Sequence, residues 1–127
     1  KFSFVMDSEQ EDVYVNKIRV ARAIINILEN AIIVPCNHTY KEIKFEIKSV
    51  DNGISILIQD NGIGINELDI PFIWDVGYST NNTSGLGLPF AKKIIDDNNG
   101  RIKIESQSGK GSIVTIFLPS AISYKGD

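Results

Sequence analysis

KEIKFEIKSVDNGISILIQDNGIGI (41–65) is the stretch from which the fold is read. Its first half alternates strictly, with Ile43, Phe45 and Ile47 on one side and Lys44, Glu46 and Lys48 on the other. That period of two belongs to a strand with one face buried. Asp51-Asn52-Gly53 is a turn signal, and ISILIQD returns as the second strand of a hairpin. The hairpin ends on a carboxylate, Asp60, followed at once by Gly62 and Gly64. Further on, GLGL (85–88) repeats the glycine spacing with Gly85 and Gly87. A glycine inside a regular element weakens it by roughly 0.5–1 kcal/mol relative to alanine. Two such clusters therefore mark either turns or places where a ligand comes close to the backbone.

Working outward, KIRVARAIINILENAII (17–33) follows Asn16, a good N-cap, and carries apolar residues at helical spacing. Ile18, Ala21, Ile25, Leu28 and Ile32 form one stripe, and we expect it to be the buried one. Val34-Pro35 ends the helix, because the residue before proline avoids the helical region. Upstream, Phe2–Met6 and Val13–Val15 read as short extended segments on either side of DSEQED. From Ile65 to Ser84 periodicity fades around Pro71, Gly77 and STNNTS. Loops of that length in compact domains are usually functional, often lids. Leu86 to Asp97 is helical, with Pro89 in the first turn and Asn98-Asn99-Gly100 as the stop. RIKIESQ and SIVTIFLP form a last strand pair around SGKG. The order predicts an α/β (α+β) two-layer sandwich, a mixed and mostly antiparallel sheet with helices on one face. We expect one domain over residues 1–127, with a lid at about 66–84.

Composition narrows the function classes. The chain has 127 residues, a formal charge of −3 and a pI near 5.1. An acidic balance argues against a general nucleic-acid or anionic-membrane surface. No apolar run approaches the roughly 18–20 residues of a membrane span. The single cysteine, Cys36, excludes an internal disulfide and fits a reducing, cytoplasmic compartment, with Cys36 in a structural role. The chain begins at Lys1 without methionine, as expected of a piece of a longer protein.

Three features point to one site. A carboxylate at a strand end can accept the N6 amine of adenine, where guanine presents an acceptor instead. Asp60 is placed to make that distinction; the alternative is a solvated Asp-Asn-Gly turn. Gly85-Leu86-Gly87-Leu88 opens a helix, whose N-terminal N–H groups and dipole favour phosphate. On the first helix Asn26 and Asn30 are one turn apart, with Glu29 beside them. Their amide oxygens suit magnesium, which takes few protein ligands plus waters and phosphate oxygens. The alternative there is an ordinary polar helix face.

Taken in order, NILENAI (26–32), DNGIGI (60–65), IWDVGYST (73–80), SGLGLPFAKKI (84–94) and NNGRIKIESQSGKGSIVTIFLP (98–119) resemble the ATP-binding catalytic domain of bacterial sensor histidine kinases. That domain shares a superfamily with DNA gyrase, the ninety-kilodalton heat-shock chaperone and a mismatch-repair ATPase. The resemblance covers roughly residues 12–119. It implies ATP and magnesium as ligands, with Asn30 as the metal ligand and Asn26 supporting it. It implies Asp60, Gly62 and Gly64 around the adenine, Trp74 as an anchor under the lid, and Thr80, Ser84, Gly85, Leu86, Gly87 and Leu88 near the phosphates. It implies as partners a phospho-acceptor histidine domain of the same parent kinase, itself a homodimer, and indirectly a response regulator. His38 lacks the helical acceptor motif, so the acceptor is expected outside this chain.

The sequence departs from the pattern in three places. Asn26 stands where hydrolysing relatives have a glutamate; an amide has no useful basicity, so slow hydrolysis is expected. Ile33 stands where many kinases have lysine. No Lys or Arg occurs from Ile65 to Ala91, and Asn81 and Thr83 replace a common lysine and glycine of the lid. Cations on a transferring phosphoryl group normally stabilise it strongly. The leading expectation is a histidine kinase. The alternatives are a nucleotide-binding module with weak or no transfer and, third, an ATPase clamp of the gyrase or chaperone type.

Overall fold

The computed structural model describes residues 2–7, 17–75 and 87–120, of which 2–7 and 17 are described by backbone alone. Along the chain these form β1 (Phe2–Asp7), α1 (Lys17–Ile33), β2 (Ile43–Val50), β3 (Gly53–Asp60), α2 (Gly87–Asp97), β4 (Arg101–Gln107) and β5 (Gly111–Pro119). A single 3-10 turn occupies Ile70–Phe72. The expected Asn16 cap, the Val13–Val15 segment and residues 76–86 of the lid and second glycine cluster lie outside the described residues.

The five strands make one sheet in the order β1-β2-β3-β5-β4. β1 runs parallel to β2, and the other neighbours are antiparallel, so the sheet is mixed and mostly antiparallel as expected. Alternation places Ile43 and Phe45 of β2, Ile56 and Ile58 of β3, and Val114, Ile116 and Leu118 of β5 on the buried face. α1 and α2 pack against each other and cover that face. Ile27, Ile58, Ile94, Ile95, Ile116 and Leu118 are fully buried, and each such side chain contributes about 1.5–3 kcal/mol relative to exposure. No helix among the described residues is long and apolar enough to cross a membrane.

α1 overturns one expectation. Its buried stripe is Val20, Ala23, Ile27 and Ala31, whereas Ile18, Ile25 and Ile32 remain 75%, 52% and 60% exposed. Ala21 is exposed too, and only Leu28 of the expected stripe packs on the core, from its margin. The helix is apolar over most of its circumference, so periodicity alone offers two faces. Packing selects the one with small residues: Ala23 and Ala31, with Ala91 of α2, permit close contact at native density.

The chain reversals follow from local chemistry. Asn52 takes φ +70° between β2 and β3, and its carbonyl accepts the Ser120 N–H at 2.8 Å, tying down the end of β5. α2 stops with Asn99 at φ +63° and the Gly100 N–H on the Ile95 carbonyl at 2.9 Å.

Candidate functional site

Asp60 is the last residue of β3, opposite Ile43 of β2 on one side and Ser112 of β5 on the other. The Gly62 N–H donates to its Oδ1 at 2.8 Å, so the Asp-Asn-Gly turn is real. The carboxyl is nonetheless not a solvated one. Burial raises its pKa above the ordinary value of 3.8, and the Gly62 N–H, the Lys41 charge and the Ser112 backbone hydrogen bond only partly offset this. A half-buried carboxylate ending a strand is a costly feature for a mere turn.

The loop after Asp60 is held from two sides. Towards α1, the Asn61 N–H reaches the Glu42 carbonyl and the Ile63 N–H reaches the Pro35 carbonyl at 2.8 Å. The Asn61 side chain accepts the Glu42 N–H at 2.8 Å and donates to the Tyr40 carbonyl at 3.2 Å. Cys36, half-buried, lies with Sγ 3.5 Å from the Asn61 carbonyl, a packing role as expected. Towards the β4–β5 hairpin, the Gly109 N–H donates to the Ile63 carbonyl at 2.6 Å and the Ile65 N–H to Ser106 Oγ at 2.8 Å.

This frame explains the first glycine pair. A Cβ on Gly62 would lie 2.6 Å from Val34 Cγ1 and 2.9 Å from Asp60 Oδ1. Gly64 has φ +74°, and a Cβ there would run into the Gln107 carbonyl. At both positions the close neighbour is the protein itself. The sequence suggested a ligand's approach; the internal hydrogen-bond frame was not legible there, because Ser106 and Gly109 are some 40 residues away.

Asn26 and Asn30 are both half-buried on α1. Asn30 faces the first residue of α2: a Cβ on Gly87 would lie 3.1 Å from its Nδ2 and 3.3 Å from its Oδ1. One turn later Val34, whose N–H bonds the Asn30 carbonyl, abuts Gly62. α1 therefore spans from the N-terminus of α2 to the Asp60 loop. Leu88 packs against the core. Thr80, Ser84, Gly85 and Leu86 lie outside the described residues. In residues 66–75, the Leu68 N–H bonds Asn66 Oδ1 at 2.9 Å, and Ile73 is the buried anchor at 5% exposure. Trp74, expected in that role, is half-buried with the Lys92 ammonium 5.9 Å from its ring centroid. Lys92 also pairs with Asp96 at 3.0 Å.

No group of three or more His, Cys, Asp or Glu that could hold a metal occurs among the described residues. An ion here would have to accept amide oxygens, waters and phosphate. Magnesium fits that donor set, with the Asn30 amide at the mouth of α2.

Residues 15–122 match the family described as histidine kinase-, DNA gyrase B- and HSP90-like ATPases. The chain belongs to that family, and its fold is that of histidine-kinase-type ATP-binding catalytic domains. It is 36% identical over 98 residues to a probable C4-dicarboxylate sensor kinase of Bacillus subtilis, covering 74% of this chain and 18% of that one. It is 32% identical over 122 residues to the sensor histidine kinase YvrG of the same organism, covering 91% and 21%. The catalytic domain of histidine kinase ThkA superposes with a TM-score of 0.79 at 26% identity, covering 94% of this chain and 77% of that one. The chain thus spans about a fifth of the length of these curated relatives.

Proposed function

We propose that this domain is the catalytic half of a two-component sensor kinase. In the cytoplasm it moves the γ-phosphoryl group of ATP to a histidine on a separate acceptor domain of the same homodimeric parent, which serves a response regulator. One observation carries the reading: α1 sets Asn30 against the start of α2 and, one turn on, Val34 against the loop of a desolvated Asp60. Adenine on one side and phosphates on the other would span that distance.

In this reading Asp60 accepts the N6 amine and rejects guanine, beside Gly62 and Gly64. The N-terminus of α2, with Gly85, Leu86, Gly87 and Leu88, receives the phosphates, and Thr80 and Ser84 of a lid over 66–84 complete the enclosure. Asn30, supported by Asn26, would hold magnesium, which would supply charge to offset the phosphate oxygens. The bond from the γ-phosphorus to the β–γ bridging oxygen breaks, a bond to an imidazole nitrogen forms, and ADP leaves. Such transfer is mostly positioning and electrostatics. Asn26 offers no base to water, so hydrolysis competes poorly.

The reading is supported by the similarity to kinase catalytic domains and tested by transfer of label from γ-labelled ATP to the parent's acceptor domain. Label is expected on histidine, slowly, and faster in Asn81→Lys, which adds the cation that 65–91 lack. ATP binding with no transfer in either protein contradicts the kinase and favours a nucleotide-binding module.

A further inference from the structure

α1 ends without a basic residue in its last turn. Its final carbonyls still need partners, and a cation there also suits the helix dipole. The partner comes from beyond the loop. Lys41 Nζ donates to the carbonyls of Ala31 and Ile32, each at 2.9 Å, and to that of Val34. One half-buried ammonium therefore gathers three carbonyls at the helix end.

The same lysine sits in a segment tied to the Asp60 loop, between Tyr40 and Glu42, whose backbones both bond Asn61. It lies two residues before Ile43, the register partner of Asp60, and next to Glu42, whose carbonyl takes the Asn61 N–H. We propose that Lys41 is a positioning residue of the nucleotide site: it locks the end of α1 against the Asp60 loop and keeps a positive charge facing that carboxylate. The inference rests on the reading of Asp60 as the adenine acceptor.

Two consequences follow. Lys41 fixes the last turn of α1, which begins at Asn30, and the Val34 that follows it, so it sets the spacing between the α2 mouth and the Asp60 loop. It also favours the ionised form of Asp60, which an acceptor role requires. The groups acting on Asp60 are the burying core, the Gly62 N–H, the Lys41 charge and the Ser112 backbone; among the described residues Lys41 is the ionisable one. Glu42, its neighbour in sequence, is exposed.

Removing the charge leaves burial less opposed. The Asp60 midpoint should then rise, and the protonated acid, no longer a pure acceptor, should spread to higher pH. The test is the Asp60 carboxyl carbon signal followed by NMR across pH 3–8, with ATP affinity measured beside it. In Lys41→Met the midpoint is expected to move up. ATP affinity at pH 7 is expected to fall about three- to tenfold, as for loss of an ordered polar contact, and to recover in Lys41→Arg. In the unaltered protein the Lys41 Nζ signal should titrate with the Asp60 midpoint, which keeps the test alive if Lys41→Met does not fold. A Lys41 signal insensitive to Asp60, or an unmoved midpoint in the variant, overturns the role of Lys41. A moved midpoint with an ATP affinity whose pH dependence across pH 3–8 does not follow it overturns instead the assignment of Asp60 to adenine.

Discussion

At Gly64 a side chain would run into the Gln107 carbonyl with φ at +74°, whereas at Gly87 it would meet the amide of Asn30 at 3.1–3.3 Å. The first obstacle is backbone that another hairpin holds in place; the second is the end of a side chain that can turn aside. The loop after Asp60 is therefore held in place by the fold itself. The phosphate side is closed by a group that we assign to the ligand's metal. Charge divides the same way. The Asp60 side has a half-buried carboxylate within the influence of the Lys41 charge, while the Asn30 side has neutral amides and a helix N-terminus, with no Lys or Arg from 65 to 91. In the proposed function, recognition of the base falls to the part the fold holds in place, and offsetting the phosphates falls to metal, helix dipole and partner.

The contrast can be broken most directly at its glycines. Gly64→Ala is expected to lower stability by about 2–4 kcal/mol, from the left-handed backbone and the clash together. Gly87→Ala is expected to stay within about 1 kcal/mol of the parent, because Asn30 can rotate and alanine suits a helix. Urea unfolding measures both; equal losses would erase the distinction.

Asn30→Ala sharpens the phosphate side. ATP affinity in magnesium is expected to fall about tenfold, close to 1.4 kcal/mol. Without magnesium it should match the unaltered protein. Calorimetry at both conditions reads this, and an equal loss without metal would place Asn30 elsewhere in the mechanism.

A smaller effect lies at Asp60 and has a defined sign. Its folded pKa is raised, so between 3.8 and that higher value the folded state holds more protons than the unfolded one. Stability attributable to this group therefore falls as pH rises through that window. Asp60→Asn, which can still accept the Gly62 N–H, is expected to melt slightly higher than the parent at pH 7. The gain should vanish towards pH 4. A pH-independent difference would mean that burial of the charge is not its cause.

Much of this was legible in sequence because strands report their buried face directly. Ile43, Phe45, Ile56, Ile58, Val114 and Ile116 follow a period of two that leaves one answer. α1 did not, since apolar residues surround it and only α2 decides that Ala23 and Ala31 face inward. At the site, Asp60 and Asn30 stood out by type and spacing. Lys41 did not, because its partners are backbone carbonyls, which leave no mark in a sequence. The clasp of Ser106 and Gly109 on residues 63–65 was hidden for the same reason.

We propose above all that Asp60 reads adenine beside a loop that the fold holds in place. Calorimetric titration with magnesium ATP and magnesium GTP, on the unaltered protein and on Asp60→Asn, tests it most directly. The account predicts ATP binding tighter than GTP by about 100-fold or more, as expected when a buried acceptor is left facing another acceptor. In Asp60→Asn ATP affinity should fall and the preference should collapse. Equal affinity for the two nucleotides in the unaltered protein, or an undiminished preference in Asp60→Asn, would contradict it.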